Sequence, residues 1–487
     1  MHIDGRKIDN SLIEGDICII GAGAAGVCMA LEWLNTPYKV ILLEGGGFEY
    51  EDKMQDLYDG EITGQPHYPF PLRAVRLHYF GGTTGHWAGM CSPYDPIDFV
   101  KRDWVPHSGW PIKREDLDPY YARVHQYLNL GPYEYSVDYW RSKDPMMVPL
   151  LSDNPVIWNK MWQFSRPVSR FGQKYRKTIV GARNIHLYTY ANVTDIVASE
   201  DVSMIKEVIA KNQEGKEHKV RAKKFVLACN TIQNARTLLA SNRQNPKGLG
   251  NEHDQVGRKF MEHIEFFSSA ELWLKKPDTL KLYMAGPETK ARAELAISEE
   301  QQWKHKMLNG TVSLRPLVEE KRQQTMPGTA DKDHIAYQLI IRMEQAPNLS
   351  SRVTLSAEKD PLGVPRASLN WVLTPLEKRS LRKIYELLGQ EVRRQGVGLV
   401  KMCEFLSDEN DMAWPSTTSG GPHHMGTTAM SDNPKEGVVD KNCKIHSISN
   451  LYVAGASCFT TGAAPNPTLT LTALSLKLSD HLKETIK

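Results

Sequence analysis

His423 and His424 stand side by side in the run Gly420-Gly421-Pro422-His423-His424-Met425-Gly426-Thr427-Thr428-Ala429-Met430. An imidazole titrates near working pH, so either ring could take a proton from a substrate hydroxyl. Neighbours in an extended segment face opposite sides, so one site can use one of them but not easily both. A hydrogen-bonded structural histidine pair is the competing reading. A metal centre is not expected, because no HExxH or similar ligand spacing accompanies the pair.

Three other runs carry chemistry. Gly21-Ala22-Gly23-Ala24-Ala25-Gly26 follows the apolar strand-like run at 16–20 and opens a helix-like run at 27–33. Gly21 permits a tight turn, Gly23 lets a pyrophosphate approach the backbone, and Gly26 lets helix and strand pack closely. The helix start offers free N–H groups and partial positive charge to phosphate. Glu44 ends the next strand, where a carboxylate can accept hydrogen bonds from a ribose diol. The motif alone does not separate FAD from NAD. Residues 81–90 (Gly-Gly-Thr-Thr-Gly-His-Trp-Ala-Gly-Met) combine permissive glycines with His86 and Trp87. By themselves they read first as a glycine-rich turn around a buried Trp, with a cofactor-contacting loop as the other reading. Near the end, a strand at 450–454 enters a turn at Gly455-Ala456. Gly462-Ala463-Ala464-Pro465-Asn466-Pro467-Thr468 then opens a helix, with Asn466 at a cap-like position and Pro467 at the first helical position. Leu471, Leu474, Leu478 and Leu482 keep helical spacing to the end.

The elements that must hold these runs follow from pattern. Apolar runs at 16–20, 39–43 and 224–229 read as buried parallel strands. Residues 184–197 and 206–210 also read as strands. Alternating runs at 265–274, 291–297, 310–314, 336–342, 352–355 and 367–372 suggest a mostly antiparallel sheet. Residues 374–395 form an amphipathic helix with Leu381, Ile384, Leu387 and Leu388 on its apolar face. The expected fold is α/β: a discontinuous Rossmann-like nucleotide-binding domain at 1–140, 181–264 and 419–487, and an α+β substrate domain with a mostly antiparallel sheet at 141–180 and 265–418. The cleft between them is the place for a ligand.

Length and composition agree. The 487 residues allow two to three structural units, and 41% hydrophobic with 24% charged residues is ordinary globular usage. The net charge is +3, with no basic run, so nucleic acid is not an expected partner. Seven scattered cysteines without a CxxC suit a reducing compartment. No signal peptide shows in residues 1–14, and the early apolar stretch is broken by glycines and too short to span a bilayer. A cytoplasmic protein without an integral membrane segment is expected, with export alongside a partner subunit left open.

With these four runs in this order, the sequence resembles the glucose-methanol-choline (GMC) oxidoreductases, which are FAD enzymes that oxidise alcohols. The resemblance covers 17–44, 81–90, the turn Ala228-Cys229-Asn230-Thr231-Ile232-Gln233-Asn234, Val256-Gly257-Arg258 through His263, and 420–482. Both ends look most like the pyranose 2-oxidase and fructose or gluconate dehydrogenase branch, because a His is paired with the Asn of Asn-Pro-Thr. The resemblance implies that His423, four residues before Thr427, is the base and that Asn466 holds the alcohol oxygen. It implies FAD contacts at Gly21, Gly23, Ala24, Ala25, Gly26 and Glu44, and at Gly82, Thr83, His86, Trp87, Ala88, Gly89 and Met90. Further contacts fall at Val193 and Ala228, and at Gly455, Ala456, Pro467 and Thr468. Asn466 is expected to face substrate, with the helix cap coming from elsewhere. In some relatives a His in Thr-His-Trp is bonded to the flavin. Here Gly85 interrupts that run, so non-covalent FAD is favoured, with a link at His86 as the alternative. The implied activity is oxidation of an alcohol, sugar, glycoside or polyol, with oxygen, a quinone or a cytochrome as electron acceptor and a small subunit as possible partner. A non-redox lyase and an FAD-holding subunit of an electron-transfer complex are the competing functions.

Overall fold

A computed structural model describes residues 1–275, 279–317 and 334–486. Strand Leu12–Ile20 is flanked on both sides by parallel neighbours, Val40–Leu43 and Glu217–Leu227. Leu451–Val453 pairs parallel to the far end of Glu217–Leu227. Beyond Val40–Leu43 come Ile185–Thr189 and His2–Asp4, also parallel. Ile205–Lys211 and Asn192–Ala198 complete this eight-stranded sheet as an antiparallel extension.

The register of the parallel strands decides where the site lies. Ile20 is level with Leu43 and with Leu227, and Leu227 is level with Val453. Their carboxyl ends therefore form one edge. The residues that follow, Gly21, Glu44, Ala228 and Ala454, emerge in a row along it. All four strands are fully apolar and buried at this end, as central parallel strands must be.

A second eight-stranded sheet is antiparallel throughout. Its path runs Gly398–Met402, Ile264–Lys275, His334–Met343, Gly310–Pro316, Ala291–Ile297, Ile157–Phe164 and Met90–Cys91, with Ser419–Gly420 pairing to the start of Ile264–Lys275. Helix Pro375–Arg394 packs Leu381, Ile384, Leu387 and Leu388 into its core. Thr374 caps this helix in a reciprocal box with Glu377. No described helix is long and apolar enough to cross a membrane.

The structure departs from the sequence pattern in three places. Residues 184–197 are two strands, Ile185–Thr189 and Asn192–Ala198, because Tyr190 takes a positive φ of 54° and turns the chain. The runs at 352–355 and 367–372 do not join the large antiparallel sheet. Arg352–Lys359 and Pro365–Asn370 form a hairpin in a separate three-stranded sheet, completed by Gly60–Thr63 in parallel. The buried Arg236–Asp360 ion pair at 2.6 Å ties this hairpin to helix Thr231–Ala240. Finally, the last helix begins at Thr468, with Pro467 at its cap position and not at its first helical position.

Candidate active site

The carboxyl edge of the parallel sheet opens into a cavity of about 610 Å³, within the range of pockets that hold cofactor-sized ligands. Gly21 begins it. Its φ is 103°, and a Cβ there would lie 2.6 Å from the carbonyl oxygen of Ala228, so only glycine fits. At Gly23 a Cβ would meet nothing within 4 Å, so the turn leaves its open side to the cavity. Helix Ala24–Glu32 then starts with Gly23 at its cap and no side chain satisfying its first N–H groups. Gly26 is not part of the cavity wall. A Cβ there would fall 1.9 Å from the carbonyl oxygen of Gly21, which makes it a packing position between helix and strand.

Glu44 is buried in the wall of the cavity. Its two oxygens accept from the backbone N–H groups of Gly46 at 2.9 Å and Ala22 at 3.0 Å. Burial pushes its pKa up to about 7 against the pull of these bonds. Val193 and Ala228 also line the cavity.

Residues 81–90 lie across the glycine turn. The Gly81 N–H donates to Ala22 O at 2.8 Å, and Gly82 comes so close that a Cβ on it would stand 3.0 Å from Gly23 Cα. Gly82, Thr83, His86, Trp87, Ala88, Gly89 and Met90 all border the cavity. Trp87 is anchored through Nε1 to Ser169 O at 3.0 Å, whereas His86 is exposed. Partial desolvation by the protein around it, and then the nearby Arg170, lower the His86 pKa even so.

His423 and His424 face different partners. Nδ1 of His423 lies 3.0 Å from Nδ1 of His263, and its side chain keeps 19% exposure. Nε2 of His424 lies 2.8 Å from the Tyr68 hydroxyl. One carboxylate organises both. Oε1 of Glu262 accepts from the backbone N–H of His263 and of His423, each at 2.7 Å, and Oε2 accepts from Tyr68 at 3.0 Å. Burial raises Glu262 to about 8 and lowers His424 to about 3. Burial, Arg342 and His424 hold His423 well below the ordinary histidine value, so its ring is neutral.

Asn466 lines the same cavity from the turn before the last helix. Its amide does not fold onto that helix: Nδ2 donates to Met90 O at 3.4 Å, and the buried Oδ1 has no partner among the described residues. Helix Thr468–Thr485, like Ala24–Glu32, starts without a side-chain cap. Pro467, Thr468, Gly455 and Ala456 line the cavity beside it. Among the described residues, no three His, Cys, Asp or Glu side chains gather as metal ligands. Sequence reasoning gave no role to Tyr68, Glu262 or His263. The acid-His-x-acid spacing of Glu262-His263-Ile264-Glu265 was the one available signal.

Residues 347–475 match the family model described as GMC oxidoreductase. The chain is 23% identical to the fructose dehydrogenase large subunit of Gluconobacter japonicus, over 99% of this chain and 100% of that one. It is 28% identical to paromamine 6'-oxidase of Streptomyces fradiae, over 98% and 92%. A crystal structure of formate oxidase superposes with a TM-score of 0.62 at 15% identity, covering 98% of this chain and 99% of that one. Residues 347–475 are a GMC oxidoreductase C-terminal domain, and the relatives that match nearly the whole chain are named as dehydrogenases and oxidases. The protein is an FAD-dependent oxidoreductase acting on CH–OH groups. The cavity fits FAD by its own chemistry: a glycine turn open on one side, two uncapped helix starts for anionic charge, and a buried carboxylate in its wall.

Proposed function

We propose that the protein oxidises a hydroxyl of a sugar, glycoside, polyol or sugar-bearing natural product to a carbonyl, with His423 as the base. The observation that carries this reading is the cavity itself, in which His423 and Asn466 share one wall system with the Gly23 turn. His423 takes the hydroxyl proton on its ring. Asn466 holds the alcohol oxygen and so orients the C–H bond. FAD, when bound, is the acceptor of the hydride. The start of helix Thr468–Thr485 stabilises negative charge near it. The Gly23 turn and the first helix hold the diphosphate, Glu44 the ribose, and Val193 and Ala228 flank the adenosine.

The sugar preference rests on the names of the relatives, a fructose dehydrogenase large subunit and a paromamine 6'-oxidase. The words "large subunit" in the first name also support a small partner. An anaerobic screen of sugars, glycosides, diols and amino sugars, read by bleaching of flavin absorbance, tests the reading. Reduction by at least one alcohol is expected, and subsequent aeration separates oxidase from dehydrogenase. Turnover of an alcohol-bearing substrate without bleaching would favour a lyase. Acid precipitation should leave the yellow colour in the supernatant, as non-covalent FAD requires. Colour in the pellet would assign a bond at His86.

A further inference from the structure

His263 is fully buried, just before strand Ile264–Lys275. Its Nε2 lies 3.2 Å from Gly462 O and 3.1 Å from Ala463 O. Ala463 has a φ of 53°, a left-handed conformation unusual for alanine, and in this turn two successive carbonyls converge on one ring nitrogen. A carbonyl only accepts, so Nε2 of His263 carries the hydrogen. In the neutral ring Nδ1 is then a bare lone pair. The Nδ1 of His423 stands 3.0 Å away, and two bare lone pairs at that distance repel. His423 must therefore carry its hydrogen on Nδ1 and donate it.

We infer that His263 is a positioning residue that sets the tautomer of His423, leaving Nε2 of His423 bare as the basic atom. The inference rests on the reading of His423 as base. The opposite arrangement would aim a lone pair of His263 at two carbonyl oxygens. The spacing of the rings is held by backbone, because both residues donate their N–H to the same Glu262 oxygen. The surrounding charged groups do not replace His263. Glu265 Oε1 is 4.0 Å from His423 Nδ1, beyond a hydrogen bond, and accepts from Arg342 Nε at 2.6 Å. Glu262 and Tyr68 turn to His424 on the other side. Arg342 disfavours a proton on either ring of the pair. A base carrying its hydrogen on the wrong nitrogen cannot accept the proton it faces.

The test is a long-range proton–nitrogen NMR spectrum of the FAD-loaded enzyme labelled with ring-¹⁵N histidine, with His423 assigned by its loss in His423→Asn. His423 should show a protonated Nδ1 and a bare Nε2. In His263→Leu it should pass to a form with hydrogen on Nε2. Flavin bleaching by the fastest alcohol of the screen should then slow by roughly 10–100-fold, less than full loss of a base. His263→Asn, whose Oδ1 can stand near the lost Nδ1, should restore the Nδ1–H signature and most of the rate. Hydrogen on Nε2 in the parent enzyme overturns the inference without need of any variant. So does an unchanged His423 signature in His263→Leu, or failure of His263→Asn to differ from it. If the signature is as inferred but His423→Ala bleaches at the parent rate, the assignment of the base fails and the tautomer relay stands.

Discussion

In the proposed reaction His423 takes the proton and Glu44 holds the ribose, and the environment of each sets what it can do. His423 is kept neutral by burial and Arg342, which leaves it ready to accept a proton. His423→Ala should slow flavin reduction by about 10²–10⁴-fold while the FAD spectrum is retained, measured by anaerobic stopped flow. A rate within a few-fold of the parent would remove His423 from the mechanism. Glu44 works differently. Its pKa of about 7 lies far above a free glutamate, so in the FAD-free protein it is protonated below that pH and ionised above it. Ribose hydroxyls donate best to the ionised form. FAD affinity should therefore fall as pH drops, by about tenfold between pH 8 and pH 6, from the change in ionised fraction. Titration of the FAD-free protein at several pH values checks this. Glu44→Gln should bind more weakly with no such slope. A flat profile in the parent would mean that Glu44 does not meet the ribose.

At the scale of elements, the glycines of the first turn separate two duties. Gly23 has φ −82°, which any residue adopts, and an added methyl would meet only the cavity. Gly23→Ala should keep the FAD-free melting temperature and weaken FAD by at least about tenfold. Gly26→Ala would drive a methyl into a backbone carbonyl and should destabilise the fold by about 1–3 kcal/mol or more, with FAD binding lost as a consequence. Equal effects from the two substitutions would refute the division. These elements were the legible ones. Strand, glycine turn, helix and acid follow from local spacing, as do the capped helix Pro375–Arg394 and the last helix. Sheet membership was not legible. A period of two says that 352–355 and 367–372 are strands, but not that Gly60–Thr63 and Arg236 draw them into a sheet of their own. The same limit hid part of the site. His263 and Tyr68 become functional candidates through distant partners, His423 and His424, and through burial of polar groups that no local pattern records.

Across the whole molecule, the nucleotide-binding sheet and the antiparallel sheet must be held in register for His423 to face the cavity. One buried ion pair lies in that connection. Arg102 and Glu344 have fully buried side chains. Their paired bonds include Nη1 to Oε2 at 2.9 Å, and Glu344 also accepts from the Asn309 N–H at 3.1 Å. Arg102 belongs to the segment whose Tyr94 donates to Gly462 O and whose Trp110 donates to Thr461. That is the turn whose carbonyls meet His263. Removing one partner strands a buried charge. Arg102→Met or Glu344→Gln alone should cost about 3–5 kcal/mol. Both should also slow flavin reduction, since the turn at Gly462 loses its backing. The double substitution Arg102→Met with Glu344→Gln leaves no orphaned charge, so it should be more stable than Arg102→Met alone, as the desolvation cost of the pair disappears with it. Denaturant midpoints of the FAD-loaded proteins measure the cycle. Additive losses in the double variant would show that the two side chains act separately, and the segment would then have to be held by its aromatic contacts around Phe459.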